Sequence, residues 1–132
     1  MTLCPCGLPA ALADCCGRYH AGAPAPTPEA LMRSRYAAFA FGTPAGLDYL
    51  VATHHPDHRD PDLAAGLAAS MAGIEAWEGL EVLEAPMPEG DEGRVAFVAS
   101  YRLGDGTRGT LRERSSFERV DGRWFYTEGV VG

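Results

Sequence analysis

The sequence predicts an α+β fold in which three helices cover one face of a curved, four-stranded antiparallel sheet. Three observations carry this. Thr-Pro or Asp-Pro pairs, which start helices, recur at Thr27-Pro28, Thr43-Pro44 and Asp60-Pro61. From Ile74 onward four runs rich in β-branched and aromatic residues follow one another. The breaks between them, EGDEG, GDGT and VDG, are short and turn-forming, which suits hairpins rather than crossovers.

The first helix is predicted over TPEALMRSRYAAFAF. Thr27 serves as N-cap, Glu29 sits in the first turn, Leu31, Tyr36, Phe39 and Ala40 recur at helical spacing, and Gly42 supplies the stop. A shorter helix is expected in GLDYLVAT and a third in DLAAGLAASMA, closed by Gly73. The strands are EGLEVLEAP, EGRVAFVASYRL, TRGTLRERSSFERV and GRWFYTEGVV. Alternation puts Val95, Phe97, Ala99 and Tyr101 on one face of the second strand, and Leu111, Glu113, Ser115 and Phe117 on one face of the third. Residues 1–22 stand apart as a Cys- and Gly-rich segment, joined through AGAPAPTPE to an α+β unit spanning 23–132.

At 132 residues the chain can bury a core without covalent staples, so its four cysteines are not needed to replace a hydrophobic interior. Eighteen acidic against eleven basic side chains give a net charge of −7, which argues against general attraction to nucleic acid or an anionic membrane. The arginines of RLGDGTRGTLRERSSFER read as a solvated strand face. No run approaches the ~20 apolar residues of a membrane span. The first residues also lack the basic-then-apolar pattern of a secretion signal, so the expected compartment is the reducing cytoplasm.

All four cysteines fall within CPCGLPAALADCCG, as C-x-C, eight residues, then C-C. Pro5 restrains the backbone between Cys4 and Cys6, while Gly7 and Gly17 allow turns after each pair. Four thiolates gathered by two short loops suit a closed, tetrahedral, structural zinc site at Cys4, Cys6, Cys15 and Cys16. Two alternatives stand beside it. Disulfides would need a reducing-compartment exception, and a Cys15–Cys16 bridge would be strained. A redox centre or thiol sensor is the other, although the spacing is not the C-x-x-C of thioredoxin-like sites.

CPCG followed after eight residues by CCG resembles the SEC-C motif, the zinc-binding segment found in the tail of the SecA protein translocase. Ala30 to Tyr36 (ALMRSRY), Asp48-Tyr49-Leu50, His55-Pro56, Glu113-Arg114-Ser115 and Asp121-Gly122-Arg123-Trp124 extend the likeness, and together they resemble the bacterial YchJ family. The resemblance implies a main domain similar to the cone-shaped fold of nuclear transport factor two (NTF2) and ketosteroid isomerase. It implies zinc as a structural cofactor on the four cysteines. The architecture leads to the expectation of a protein partner at the knuckle and a small-molecule or peptide ligand in the cone. The interval GLPAALAD carries no Lys or Arg, whereas SEC-C segments are basic and aromatic there. The SecB partner of SecA is therefore not carried over.

Within the cone, His55 and Glu113 are the candidate pocket residues. His55 could act as base or ligand donor, and Glu113 as an acid/base in an isomerase- or dehydratase-type enzyme. The plainer expectation pairs Glu113 with Arg33 or Arg35 of the first helix. His54 and His58 are expected to face solvent, with His55 capping or lining the domain. Tyr36, Trp77, Trp124 and Tyr126 read as core that could rim a pocket. No nucleophile triad, P-loop or dinucleotide fingerprint is visible.

Overall fold

The computed structural model describes residues 3–131. The helices are α1 (Cys16–His20), α2 (Pro28–Phe41), α3 (Pro44–Ala52) and α4 (Leu63–Gly73). The strands are β1 (Ala76–Glu84), β2 (Glu92–Arg102), β3 (Arg108–Val120) and β4 (Arg123–Val131), in the order β1-β2-β3-β4 with every neighbour antiparallel. The predicted three helices and meander are all present. The addition is α1, inside the cysteine segment; five residues are too few to show a helical period.

Both Thr-Pro starts form as the sequence implies. Thr27 Oγ1 accepts from the Ala30 N–H at 3.0 Å and Thr43 Oγ1 from the Gly46 N–H at 3.0 Å, each satisfying an otherwise orphaned donor of the first turn. The Asp60-Pro61 start is looser. Helix α4 begins only at Leu63, and the Asp60 carboxylate caps the Asp62 N–H of the preceding turn instead.

The sheet curves because its ladders are interrupted. Register shifts fall between Trp77 and Gly79, between Val82 and Glu84 on β1, and opposite Ser116–Phe117 where β4 carries Thr127 as an extra residue. The concave face holds Phe97 opposite Glu113, Ala99 opposite Leu111 and Val95 opposite Ser115, as the alternation predicts. Helix α2 packs across it and buries eight residues, Pro28, Leu31, Met32, Ser34, Arg35, Tyr36, Ala37 and Ala38. The four cysteines belong to the same contiguous core as Leu31, Tyr36, Phe97 and Trp124. Loss of order in the segment 4–16 would therefore open the main core.

Candidate metal centre and cavity

The cysteine segment folds as a tight loop leading into one helical turn. The Cys4 N–H bonds Ala10 O at 2.9 Å, and Leu3 bridges Ala11 in antiparallel fashion, so the chain from 4 to 10 closes on itself. Gly7, at φ +94°, turns the chain after Cys6 so that it can double back and pair at Ala10 with Cys4. Gly17 works differently from the expectation. It lies within α1, and a Cβ there would sit 2.6 Å from Leu12 O, so its smallness lets the helix press on the preceding turn.

The result is four free, buried thiols, none more than 5% exposed, whose Sγ atoms all lie within 4.8 Å of one another. Cys6 Sγ and Cys15 Sγ are 3.6 Å apart. A tetrahedral Zn(Cys)4 centre with Zn–S bonds of ~2.3 Å has S···S edges of about 3.8 Å, so these residues fit the ion with little adjustment. The electrostatics also call for a cation. The hydrogen bond from Cys16 holds the Cys6 thiol down to about 5 against the opposing effect of burial. Burial, then the Cys6 thiolate beside it, pushes Cys15 up to about 11, and the bond to Cys6 followed by burial raises Cys16 as well. Without a metal, Cys15 and Cys16 are held as neutral thiols beside the Cys6 thiolate. A divalent ion would supply the charge that lets all four ionise.

Two arginines beyond the sequence-predicted ligands buttress this centre. Arg33 Nη1 donates to Cys6 O at 2.9 Å, with its Nε held by Glu29 at 2.9 Å, and Arg18 Nε donates to Cys15 O at 3.1 Å. Both fix ligand-bearing backbone and place positive charge beside a cluster that would keep a net negative charge with four thiolates around a divalent ion.

On the other side of α2 the helix and the concave sheet face enclose a cavity of about 600 Å³. Met32, Arg35, Tyr36 and Phe39 line it from α2, at the i, i+3, i+4, i+7 positions of one helical face. Arg33 and Arg35, two residues apart, consequently point in nearly opposite directions, one to the knuckle and one to the cavity. Trp77, Phe97, Ala99, Leu111 and Phe117 form apolar walls, and Leu67, Ser70 and Ile74 border the cavity from α4 and the residue after it.

Its polar groups gather around Tyr126. Arg35, 7% exposed, lays its guanidinium over the Tyr126 ring at 4.5 Å and donates through Nη1 to Leu50 O (2.8 Å) and Thr53 Oγ1 (2.6 Å). Burial lowers the Arg35 pKa to about 10, which still leaves it charged at neutral pH. Ser115 Oγ donates to Glu113 Oε2 at 2.5 Å, and the Tyr126 hydroxyl lies against the same carboxylate. Burial first, then the Glu113 charge, pushes the Tyr126 phenol up to about 12, so it stays a neutral donor. Gly129 makes this contact possible, since a Cβ there would come within 2.5 Å of both Glu113 Oε2 and the Tyr126 hydroxyl.

The expected Glu113–arginine pair does not form. Among the described residues neither Arg33 nor Arg35 has a Glu113 oxygen within 4.0 Å, because each arginine is already committed on its own side of α2. The structure places Glu113 in the cavity and His55 outside it. His55 caps the turn Pro56–His58: its Nδ1 accepts from the Asp57 N–H at 3.0 Å, so its Nε2 carries the proton and donates to Glu118 at 2.7 Å. His54, expected to face solvent, instead lines the cavity, tilted against Tyr126 at 5.4 Å. The reversal follows from the bridge that joins His54 to Tyr126 in register, which sends consecutive side chains to opposite sides. Burial lowers the His54 pKa, and His54 Nδ1 is the one buried side-chain nitrogen or oxygen without a partner among the described residues. Tyr36, Trp77 and Tyr126 do rim the cavity, whereas Trp124 packs beside it under the Arg119 guanidinium. Helical periodicity separates Arg35 from Arg33, since Arg35 shares the face of Met32, Tyr36 and Phe39. No comparable local signal separates His54 from His55, a choice that depends on the side of the chain that faces the void.

A cone-shaped α+β domain carrying a four-cysteine N-terminal knuckle defines the class: a SEC-C motif protein with an NTF2-like main domain. The family description "YchJ, middle NTF2-like domain" matches residues 27–129. A UPF0225 protein of Xanthomonas campestris is 44% identical over 125 residues, covering 95% of this chain and 92% of the relative. The chain belongs to the YchJ (UPF0225) family. The solution structure of a SEC-C motif protein from Rhodopseudomonas palustris superimposes with a TM-score of 0.86 at 38% identity, covering 98% of both chains. The crystal structure of another SEC-C motif protein, from Psychrobacter arcticus, gives 0.77 at 28% identity, covering 98% of this chain and 82% of that one.

Proposed function

We propose that this is a cytoplasmic binding protein that holds a small molecule in its cone domain and fixes its N-terminal segment with a structural zinc ion. The observation that carries the reading is the cavity of about 600 Å³, apolar in its walls but furnished with Arg35, Glu113, His54 and Tyr126 at one end. Concave apolar pockets with a few converging polar groups are the usual form of small-molecule sites. The separation of His55 from Glu113 favours binding over the acid/base pair considered from sequence, since the two do not share a space. All four knuckle donors point inward and are buried, leaving no open coordination position, which supports a structural role for zinc.

Two measurements test this. Protein purified without added zinc should contain about one zinc per chain; a metal-free, fully folded protein with paired thiols would remove the metal half. A library of neutral fragments, followed by the indole N–H resonance of Trp77, should yield hits that disappear in the cavity-filling variant Ala99→Leu. Hits that ignore Ala99→Leu, or none at all, would remove the ligand half.

A further inference from the structure

Arg35 is a buried cation without a carboxylate within 4.0 Å among the described residues. Leaving a charge so desolvated is costly unless something completes its coordination. The protein supplies only part of that. Nη1 has two acceptors and the Tyr126 ring covers the face, but the Nε and Nη2 hydrogens have no protein acceptor among the described residues. These nitrogens are not sealed in: the fully buried, partnerless polar atom is on His54, and Arg35 itself lines the cavity. Nε and Nη2 form one edge of the guanidinium fork, the edge that takes a planar two-oxygen anion side-on.

The rest of the cavity narrows the class of anion. Glu113 shares the space, so a dianion such as a phosphate ester would meet repulsion that a singly charged carboxylate meets at half strength. Glu113 also accepts hydrogen bonds, which suits a hydroxyl or amine on the ligand. Tyr36, Phe39, Trp77 and Phe97 offer aromatic walls for a flat apolar body.

Resting on the reading of the cavity as a ligand site, we infer that it recognises an aromatic monocarboxylic acid, its carboxylate on the Nε/Nη2 edge of Arg35 and a donor group toward Glu113.

The test uses the zinc-loaded full chain and three probes: 4-hydroxyphenylacetate, its neutral amide, and phenyl phosphate. Titrations are read at the Trp77 indole resonance and by calorimetry. The acid should bind about tenfold or more tighter than either of the others, the size expected of charge-assisted hydrogen bonds. Arg35→Met should abolish that preference while the amide binds as before, and Arg35→Lys should keep part of it. Should Arg35→Met fail to fold, the wild-type ranking and Arg35→Lys decide. An amide or phosphate that binds as tightly as the acid overturns the inference and leaves the ligand cavity standing. Silence from all three probes, with neutral library fragments still shifting Trp77, also overturns it alone. Silence from both sets removes the cavity reading with it.

Discussion

The knuckle and the cavity lie on opposite sides of α2, and each gathers buried ionisable groups that water would otherwise solvate. In the knuckle four identical sulfurs face one another across less than 4.8 Å, so a single ion can satisfy them all and the site is closed. In the cavity the groups differ in kind and face a void of about 600 Å³, so each keeps unused bonding capacity. Like donors converging on a point suit a structural centre, whereas unlike donors around a space suit a recognition site. Helix α2 serves both because its two faces are independent, with Arg33 bonded to Cys6 O on one and Arg35 spread over Tyr126 on the other.

The sharpest break in this contrast is removal of the metal. Cys6→Ser, or a strong chelator, should release zinc and lower the melting temperature by about 10 °C or more, because the cysteines share a core with Leu31 and Tyr36. Metal analysis beside a thermal melt checks this, and an unchanged melt would make the knuckle an ornament on an independent cone.

On the cavity side, Gly129→Ala should destabilise by about 1–3 kcal/mol through overpacking against Glu113 and the Tyr126 hydroxyl. Denaturant unfolding measures it, and a cycle with Glu113→Ala should recover part of the loss if the carboxylate is the obstacle.

Substituting His55 by Ala should cost about 1 kcal/mol, from the lost bonds to Glu118 and the Asp57 N–H, without altering probe binding in the cavity. An affinity change matching that of a cavity variant would place His55 functionally where the geometry does not.

The smallest effect concerns pH. The folded state holds the His54 pKa below its ordinary value, through burial first and the Arg35 charge second, so the unfolded chain binds the proton more readily. Stability from this group is complete above the unfolded pKa of ~6.5 and declines as pH falls below it. His54→Asn should therefore lose less stability between pH 7 and 5.5 than wild type, with zinc saturating in both; equal losses would show that His54 does not contribute.

The sequence by itself determined the helix starts at Thr27 and Thr43, the meander and its hairpin breaks, the inward faces of β2 and β3, and the cysteine quartet. Each of these is a local matter of capping chemistry, alternation or spacing within a short stretch, and local rules read along the chain suffice for them. The resemblance carried by the cysteine spacing and ALMRSRY supplied the family. Only the tertiary structure decided which side chains meet at a distance. The pairing of His54 with Tyr126 turned His54 inward and His55 outward; the two faces of α2 sent Arg33 to a cysteine carbonyl and Arg35 to a cavity; and Gly129 opened room for Glu113 against Tyr126. The physical reason is that facing depends on what packs opposite. For His54 and Arg35, which both pack on Tyr126, that partner lies more than seventy positions away, where no local periodicity can register it.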